Sequence, residues 1–295
     1  MTSPQRHLQG VLSIALAATL WGTIGFVVAV LSWGISGTDP LVIACGRVAL
    51  AVPVLWVWHR LRVQRGQIGL TRAHGLLLGA AGLAFAVYHV TYFAAIPRIG
   101  LTYAVLLNIC TAPLFTLGIA RVWLGERMHA PQVLSIALAI IGCVVLIGGT
   151  PAAVRLDPIG MVLAVAAGLS YSLLAVLTRR VAPAADPVTI QAVIMSVAAV
   201  LLTLGLVLTQ TPVPLTELPW ISLVYMALVP TVLSYVLYTR GLAVVGATTA
   251  ASLTLLEPLV STILAVALLG ERMSAVSWLG ALALGISLLL VARRS

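Results

Sequence analysis

The segment Leu124-Gly125-Glu126-Arg127-Met128 recurs as Leu269-Gly270-Glu271-Arg272-Met273, 145 positions later in a chain of 295 residues. Each copy follows an apolar stretch that contains a proline, Pro113 or Pro258, and these two prolines are also 145 positions apart. Each copy precedes one further apolar stretch. The chain is therefore a duplication, and the two copies lie at matching points of two halves.

The composition predicts an all-α integral membrane protein. Hydrophobic residues make up 61% of the chain, charged residues 8%, and the mean hydropathy is +1.15, whereas soluble domains carry about 25% charged residues. A bilayer crossing takes about 20 apolar residues. We expect the first span to be retained as a helix, because it is long enough to cross and no cleavage site clearly follows it. Ten transmembrane helices are predicted, near residues 9–32, 40–58, 75–96, 100–120, 130–148, 158–178, 187–209, 219–239, 246–268 and 274–292.

The basic residues indicate the orientation of these helices, and all 16 of them are arginine. With a cytoplasmic N-terminus, twelve arginines fall inside, three fall outside, and Arg47 lies within the second span. This bias follows the positive-inside rule and predicts that both termini are cytoplasmic. The net charge of +9 is then explained by topology and by attraction to lipid headgroups, so no nucleic-acid partner is expected.

The parity of the spans predicts the arrangement of the two halves. Residues 9–148 and 158–292 each hold five predicted spans, so the two repeats must have opposite orientations in the membrane. Inverted repeats recur in secondary transporters, where two similar halves that face opposite ways support alternating access. The sequence therefore favours transport.

Few groups could support other chemistry. Cys45, Cys110 and Cys143 all fall in predicted spans without C-x-x-C spacing, so neither a disulfide nor a metal site is expected. The chain has no H-E-x-x-H motif and no P-loop, and we expect no cofactor. Only Ser170 or Ser172 with His89 offers a remote nucleophile and base for an intramembrane enzyme.

Polar and aromatic residues inside the spans are the candidate substrate contacts, because burying them in a membrane is costly. Tyr88 and Tyr92 share one face of the third span, and His89 lies about 100° further round. A stripe of tyrosines that only packs against neighbouring helices is the structural alternative. Tyr235 belongs to the same polar and aromatic group. The predicted substrate-binding residues are Trp21, Tyr88, His89, Tyr92, Asn108, Tyr171, Tyr238 and Glu257.

Pro113 and Pro258 are predicted hinges, because proline removes a helical hydrogen bond at matching points of the two repeats. Glu257 is the one carboxylate placed well inside a span, where the first repeat has Ala112. It could face a substrate ammonium or a coupling proton, or it could be a structural acid that pairs with Arg47. Arg47 itself could hold a substrate carboxylate, snorkel, or bind backbone carbonyls. The two Leu-Gly-Glu-Arg stretches are interpreted as helix-terminal caps in which Glu and Arg pair at the interface.

The ten spans, Pro113, Glu257-Pro258 and the doubled Leu-Gly-Glu-Arg stretch resemble the drug/metabolite transporter superfamily, EamA type, over about residues 10–292. Among its members the chain looks most similar to bacterial amino-acid exporters. This resemblance implies a multi-pass protein of the bacterial inner membrane. It also implies a central cavity lined by the first, third, fourth, sixth, eighth and ninth helices, with Tyr88, His89 and Tyr92 facing it.

The expected function is export of small amphipathic metabolites, above all neutral and aromatic amino acids, by alternating access. The expected partners are a small-molecule substrate and membrane lipid; the oligomeric state is left open, and a monomer is compatible with the sequence. A proton-coupled efflux pump for drugs or cations is the alternative, because it would share the same fold. An intramembrane enzyme is a remote alternative.

Overall fold

The computed structural model describes residues 4–31, 39–62, 71–126, 130–148, 157–213, 220–270 and 272–294. Within these ranges the chain is helical with short connections. The first six helices are α1 (Pro4–Leu31), α2 (Pro40–Arg62), α3 (Arg72–Ile99), α4 (Leu101–Ile119), α5 (Ala130–Gly148) and α6 (Pro158–Val181). The other six are α7 (Pro187–Leu208), α8 (Trp220–Ala227), α9 (Ser234–Leu242), α10 (Ala247–Thr254), α11 (Leu256–Leu269) and α12 (Ala275–Arg294).

Eight helical segments in the described part of the chain are long and apolar enough to cross a membrane, and two shorter apolar helices cover 132–146 and 275–290. A helix suits this solvent because all its backbone hydrogen bonds are made within the segment. Large apolar side chains cover the outside of the bundle; Leu61 is 80% exposed and Val122 is 79% exposed. Exposure of such side chains to lipid carries no hydrophobic cost, because lipid tails are as apolar as they are.

The two copies of the repeated motif end helices in the same way. Gly125 follows Leu124, the last residue of a π-helical turn (Ala120–Leu124) that continues α4, and Gly270 follows Leu269, the last residue of α11. Their φ angles are +67° and +69°. A left-handed residue after a helix ends it at little cost only when that residue is glycine. This agrees with the interpretation of the motif as a helix-terminal cap. Arg127 and Glu271 lie outside the described residues, so each of the two predicted Glu–Arg pairs has one member outside them.

Two of the predicted spans are interrupted. Residues 228–233 form a π-helical turn between α8 and α9, and Leu255 separates α10 from α11. Pro258 is the third residue of α11, where its missing N–H falls among the donors that have no partner at any helix N-terminus. Pro113, in contrast, lies inside an uninterrupted α4. The two predicted hinges thus differ in their local backbone.

Helices from the two halves of the sequence pack against each other throughout the bundle. α3 packs on α6 and α7, α4 packs on α6, and α5 packs on α12. α1 packs on α9 and α11, and α2 packs on α7 and α8. Hence the centre of the bundle, where α1, α2, α3, α6 and α9 converge, is built from both halves.

Candidate functional site

Aromatic rings from four helices, α1, α3, α6 and α9, meet at the centre of the bundle. The ring of Tyr88 lies 5.6 Å from that of Tyr171 and 5.9 Å from that of Tyr92. The ring of His89 lies 4.8 Å from that of Tyr88 and 4.4 Å from that of Phe85, and Phe85 lies 5.3 Å from Tyr235. Trp21 then packs on Tyr235 at 5.0 Å and on Tyr238 at 5.3 Å. These seven residues form one continuous surface, the aromatic wall: Trp21, Phe85, Tyr88, Tyr92, Tyr171, Tyr235 and Tyr238.

The wall borders an accessible space between the helices, the cavity. Tyr88, Tyr171 and Glu257 each keep some accessible surface, although all three lie on helices that pack at the centre of the bundle. Cavities between the helices of a bundle are a common location for small-molecule sites.

Arg47 of α2 is bound to His89 of α3 inside this region. The guanidinium Nη2 lies 2.6 Å from His89 Nε2, and His89 Nδ1 lies 2.9 Å from the backbone oxygen of Phe85. A carbonyl oxygen only accepts a hydrogen bond and a guanidinium only donates, so Nδ1 must carry the proton and Nε2 must accept. His89 is therefore a neutral ring with both nitrogens engaged.

This environment differs from the one that sequence analysis assigned to His89. The side chain is 1% exposed, and no ring nitrogen remains for a hydrogen bond to a substrate in this arrangement. Its partner Arg47 keeps some accessible surface and lies in electrostatic range of Tyr88, Tyr92 and Glu257. Of these two polar groups, only the arginine keeps accessible surface beyond about 1%.

Glu257 lies in the first turn of α11, directly after the break at Leu255. The partial positive charge of a helix N-terminus favours a carboxylate there. Arg98–Asp157 is the one ion pair with N and O atoms within 4.0 Å in the described part of the chain, so Glu257 and Arg47 are near but not paired. Glu257 also has no hydrogen-bond partner among the described side chains. The carboxylate thus faces the cavity without a protein counter-ion in contact.

Asn108 approaches Tyr88 from α4. Its side chain is 9% exposed, and its Oδ1 atom has no hydrogen-bond partner in the described residues. Tyr88 has both Asn108 and Glu257 as electrostatic neighbours. An amide and a carboxylate therefore lie near the same tyrosine, and the oxygens of both can accept from a cationic donor.

Trp21 has a structural contact in addition to its place in the wall. Trp21 Nε1 donates to the backbone oxygen of Pro230 at 2.8 Å. Thr231 donates to Met226 O and Ser234 to Val229 O, so side chains satisfy carbonyls of the π-helical turn. These contacts hold the turn in place directly before α9, the helix that carries Tyr235 and Tyr238.

Glycines allow the helices around the cavity to approach closely. A Cβ atom on Gly22 of α1 would lie 2.8 Å from the backbone oxygen of Glu257. A Cβ atom on Gly168 of α6 would lie 3.1 Å from the backbone oxygen of Asn108 and would overlap the hydroxyl of Thr111. Small residues have this role in membrane helix packing.

Five of the eight predicted substrate contacts lie in the aromatic wall, Asn108 and Glu257 lie near Tyr88, and His89 is bound to Arg47. The residues that sequence reasoning left out of the predicted set are Arg47, Phe85 and Tyr235. Phe85 and Tyr235 could have been found from their helical spacing to His89 and Tyr238. Arg47 carried a signal as a cation within a span, but the sequence did not indicate which helix it faces.

The groups proposed for an intramembrane enzyme do not form a nucleophile and base. Ser172 Oγ lies 2.7 Å from the backbone oxygens of Ala112 and Gly168, so its proton is engaged in helix packing. His89 Nε2, the atom that would act as a base, already accepts from Arg47.

Comparison with known proteins identifies the family. The EamA-like transporter family matches residues 8–148 and again residues 158–293. The chain is 29% identical over 283 residues to a "Probable amino-acid metabolite efflux pump" of Escherichia coli (strain K12), covering 92% of this chain and 90% of that protein. It is 28% identical over 284 residues to "Uncharacterized transporter YwfM" of Bacillus subtilis (strain 168), covering 95% of this chain and 92% of that protein.

The fold is also that of a solved structure. A crystal structure that is 20% identical aligns with a TM-score of 0.81 over 97% of this chain and 98% of the other. The relatives are transporters and efflux pumps, not enzymes. The family and the eight membrane-capable helices indicate a multi-pass membrane protein that exports small molecules. This chain belongs to the EamA-like transporter family.

Proposed function

We propose that this protein exports neutral amphipathic amino acids, aromatic ones included, across the bacterial inner membrane by alternating access. The observation that carries the proposal is the cavity itself. An aromatic wall there adjoins Glu257, a carboxylate with no protein partner in contact. Aromatic rings pack on an apolar side chain, while Glu257 and the free Oδ1 of Asn108 accept from an ammonium group. The name of the Escherichia coli relative supports the same substrate class.

The proposed architecture is ten membrane helices in two inverted repeats, 9–148 and 158–292, with both termini in the cytoplasm. The helix contacts support it because they occur in reciprocal pairs. α3 on α6 matches the eighth span on α1, and α4 on α6 matches α11 on α1. Gly22 beside Glu257 and Gly168 beside Asn108 repeat the same close approach in the two halves. Pro113 and Pro258, which follow these contacts, are the proposed hinges.

Uptake into proteoliposomes tests this function. Purified protein should accelerate the flux of radiolabelled phenylalanine and other neutral amino acids above that of protein-free vesicles. The double variant Tyr88→Ala/Tyr92→Ala should lower this flux, because it removes rings that contact the substrate side chain. Trp123→Ala is the matched control, since Trp123 is 59% exposed on the outside of the bundle. Absence of flux for every amino acid, or an unchanged rate in the double variant, would contradict the proposal.

A proton-coupled efflux pump for drugs or cations is the second candidate, and the unpaired carboxylate of Glu257 favours it. A carboxylate that carries the coupling proton is essential to an antiporter, whereas a facilitator needs it only for affinity. If the protein is a proton-coupled antiporter, Glu257→Gln should therefore abolish gradient-driven efflux. If it is an amino-acid facilitator, the same variant should only weaken amino-acid flux. An imposed proton gradient distinguishes the two, because only antiport responds to it.

A further inference from the structure

Arg47 is a half-buried cation for which the described residues offer no anion in contact. It lies inside a membrane helix, where an isolated charge is costly. Five acidic residues fall in the described ranges, and none has an oxygen within 4.0 Å of the guanidinium. Its one side-chain partner is His89, which is neutral. The charge of the arginine is thus hydrogen-bonded but not neutralised.

The contact with His89 uses one nitrogen of the guanidinium. An arginine has five N–H donors in a planar fork, which matches a carboxylate with two parallel hydrogen bonds. His89 Nε2 accepts from Arg47 Nη2, and the hydrogen bond that Nδ1 donates to the backbone oxygen of Phe85 fixes the ring. The contact restrains the guanidinium, and the arginine keeps its charge and its other donors. A carboxylate of the protein in the place of His89 would have neutralised the charge and occupied the fork of donors.

Arg47 and Glu257 lie in the same part of the bundle. The His89 ring that binds Arg47 lies 4.8 Å from the ring of Tyr88, and Arg47 and Glu257 are both neighbours of Tyr88. Both charged side chains keep some accessible surface, and more than 4.0 Å separates the guanidinium nitrogens from the carboxylate oxygens. A zwitterion can bridge a cation and an acid in this arrangement.

We infer that Arg47 binds the carboxylate of the substrate and that His89 is the positioning residue that aims its guanidinium. The inference rests on the proposed function, since it assumes that amino acids enter this cavity. It assigns the two ends of the substrate: the carboxylate to Arg47 and the ammonium to Glu257 and Asn108. It also excludes simple organic cations as good substrates, because a fixed guanidinium without a counter-ion repels them.

Competition in proteoliposomes tests the inference. The probes are L-phenylalanine, L-phenylalaninamide, which lacks the carboxylate, and 3-phenylpropionate, which lacks the ammonium. In the wild-type protein the amide should inhibit phenylalanine uptake roughly tenfold or more weakly than unlabelled phenylalanine, because a charge-assisted bidentate contact is lost. In Arg47→Gln this preference should largely vanish. Arg121→Gln is the control, since Arg121 is exposed, and it should keep the wild-type preference.

The His89→Gln variant separates positioning from fold. It should raise the KM for phenylalanine severalfold, leave the maximal flux near the wild-type value, and leave inhibition by the amide unchanged. A merely structural histidine would instead change the maximal flux or the amount of folded protein and affect all three probes alike.

Three results would overturn the inference, and a fourth would contradict the proposed function. A folded Arg47→Gln protein that still prefers the acid over the amide overturns the inference. If that variant does not purify as a monodisperse protein, an unchanged KM in His89→Gln overturns it. Equal inhibition of the wild-type protein by the acid and the amide overturns it without any variant. Absence of phenylalanine flux in the wild-type protein contradicts the proposed function instead.

Discussion

Glu126 caps the helix that begins at Ala247, although the two residues are 121 positions apart. The carboxylate accepts hydrogen bonds from the backbone N–H groups of Ala247 at 2.7 Å and Thr248 at 3.1 Å. Gly246 leaves room for it, since a Cβ atom there would lie 3.1 Å from Glu126 Oε2. Nearby, Arg179 donates to the backbone oxygen of Leu242 at 2.5 Å. The first copy of the repeated motif thus binds one half of the chain to the other at the start of α10.

Loss of this cap should destabilise the protein. Glu126→Ala leaves two helix N–H groups without a partner and should lower the free energy of unfolding by about 1 kcal/mol, within the range of measured N-cap losses. Glu126→Gln should have a smaller effect, because its amide oxygen still accepts one bond. Unfolding in mixed detergent micelles measures both changes. Equal stability of Glu126→Ala and the wild-type protein would show that the cap contributes nothing.

The Trp21→Phe substitution should be costly for a reason unrelated to transport. It removes the donor to the backbone oxygen of Pro230 and leaves that buried acceptor unpaired, at a cost of about 1–3 kcal/mol. Thermal unfolding in detergent should show a lower midpoint. Trp123→Phe, at a site that is 59% exposed, should leave the midpoint near the wild-type value. Equal midpoints for the two variants would contradict this account of the π-helical turn.

Close packing of α3 on α7 predicts a contrast between two glycines of one helix. A Cβ atom on Gly82 would lie 2.6 Å from Val197 Cβ and 2.9 Å from the backbone oxygen of Ile194, whereas one on Gly79 would meet nothing within 4 Å. Gly82→Ala forces the helices apart and should lower stability by about 1–3 kcal/mol, as overpacking does. Gly79→Ala should be neutral or stabilising by up to about 1 kcal/mol, because alanine favours a helix. Unfolding of both variants in the same detergent checks the contrast, and a loss in Gly79→Ala as large as that in Gly82→Ala would contradict it.

The ion pair between Arg98 and Asp157 predicts a pH dependence of stability. The hydrogen bond from Arg98 at 3.0 Å lowers the pKa of Asp157 below its ordinary value of 3.8. A carboxylate with a lowered pKa in the folded state stabilises the protein above its ordinary pKa, and this contribution is lost as the pH falls through the lowered value. The effect should be small because the pair is exposed.

Asp157→Asn is the matched variant for this pair. Asparagine retains an oxygen that can accept from the N–H of Ile159, as Asp157 does at 3.0 Å, so the helix cap is kept and only the charge is removed. The difference in thermal midpoint between the wild-type protein and the variant should be constant near neutral pH and should shrink as the pH falls below 3.8. A difference that does not change with pH would show that the cap and not the charge is responsible.

The aromatic part of the site could be predicted from the sequence, and the charged part could not. Tyr88 and Tyr92 lie four positions apart, and helical geometry places them on one face. Their rings stack in the structure at 5.9 Å. The spacing of Arg47 and His89 along the chain carries no such information, because they belong to different helices. The contact between them depends on how α2 and α3 are rotated.

The sequence by itself determined that this is a membrane transporter of the EamA-like family. Its composition requires a membrane environment. The doubled Leu-Gly-Glu-Arg stretch, with its two prolines, is the feature that resembles this family. Only the tertiary structure decided which polar groups meet: Arg47 with His89, Trp21 with Pro230, and Glu126 with Ala247. The physical reason is that these helices are apolar on almost every side. No amphipathic stripe along α1 or α2 indicates which face turns inward, so rotation and partners are set by the packing of small residues and by a few hydrogen bonds between helices.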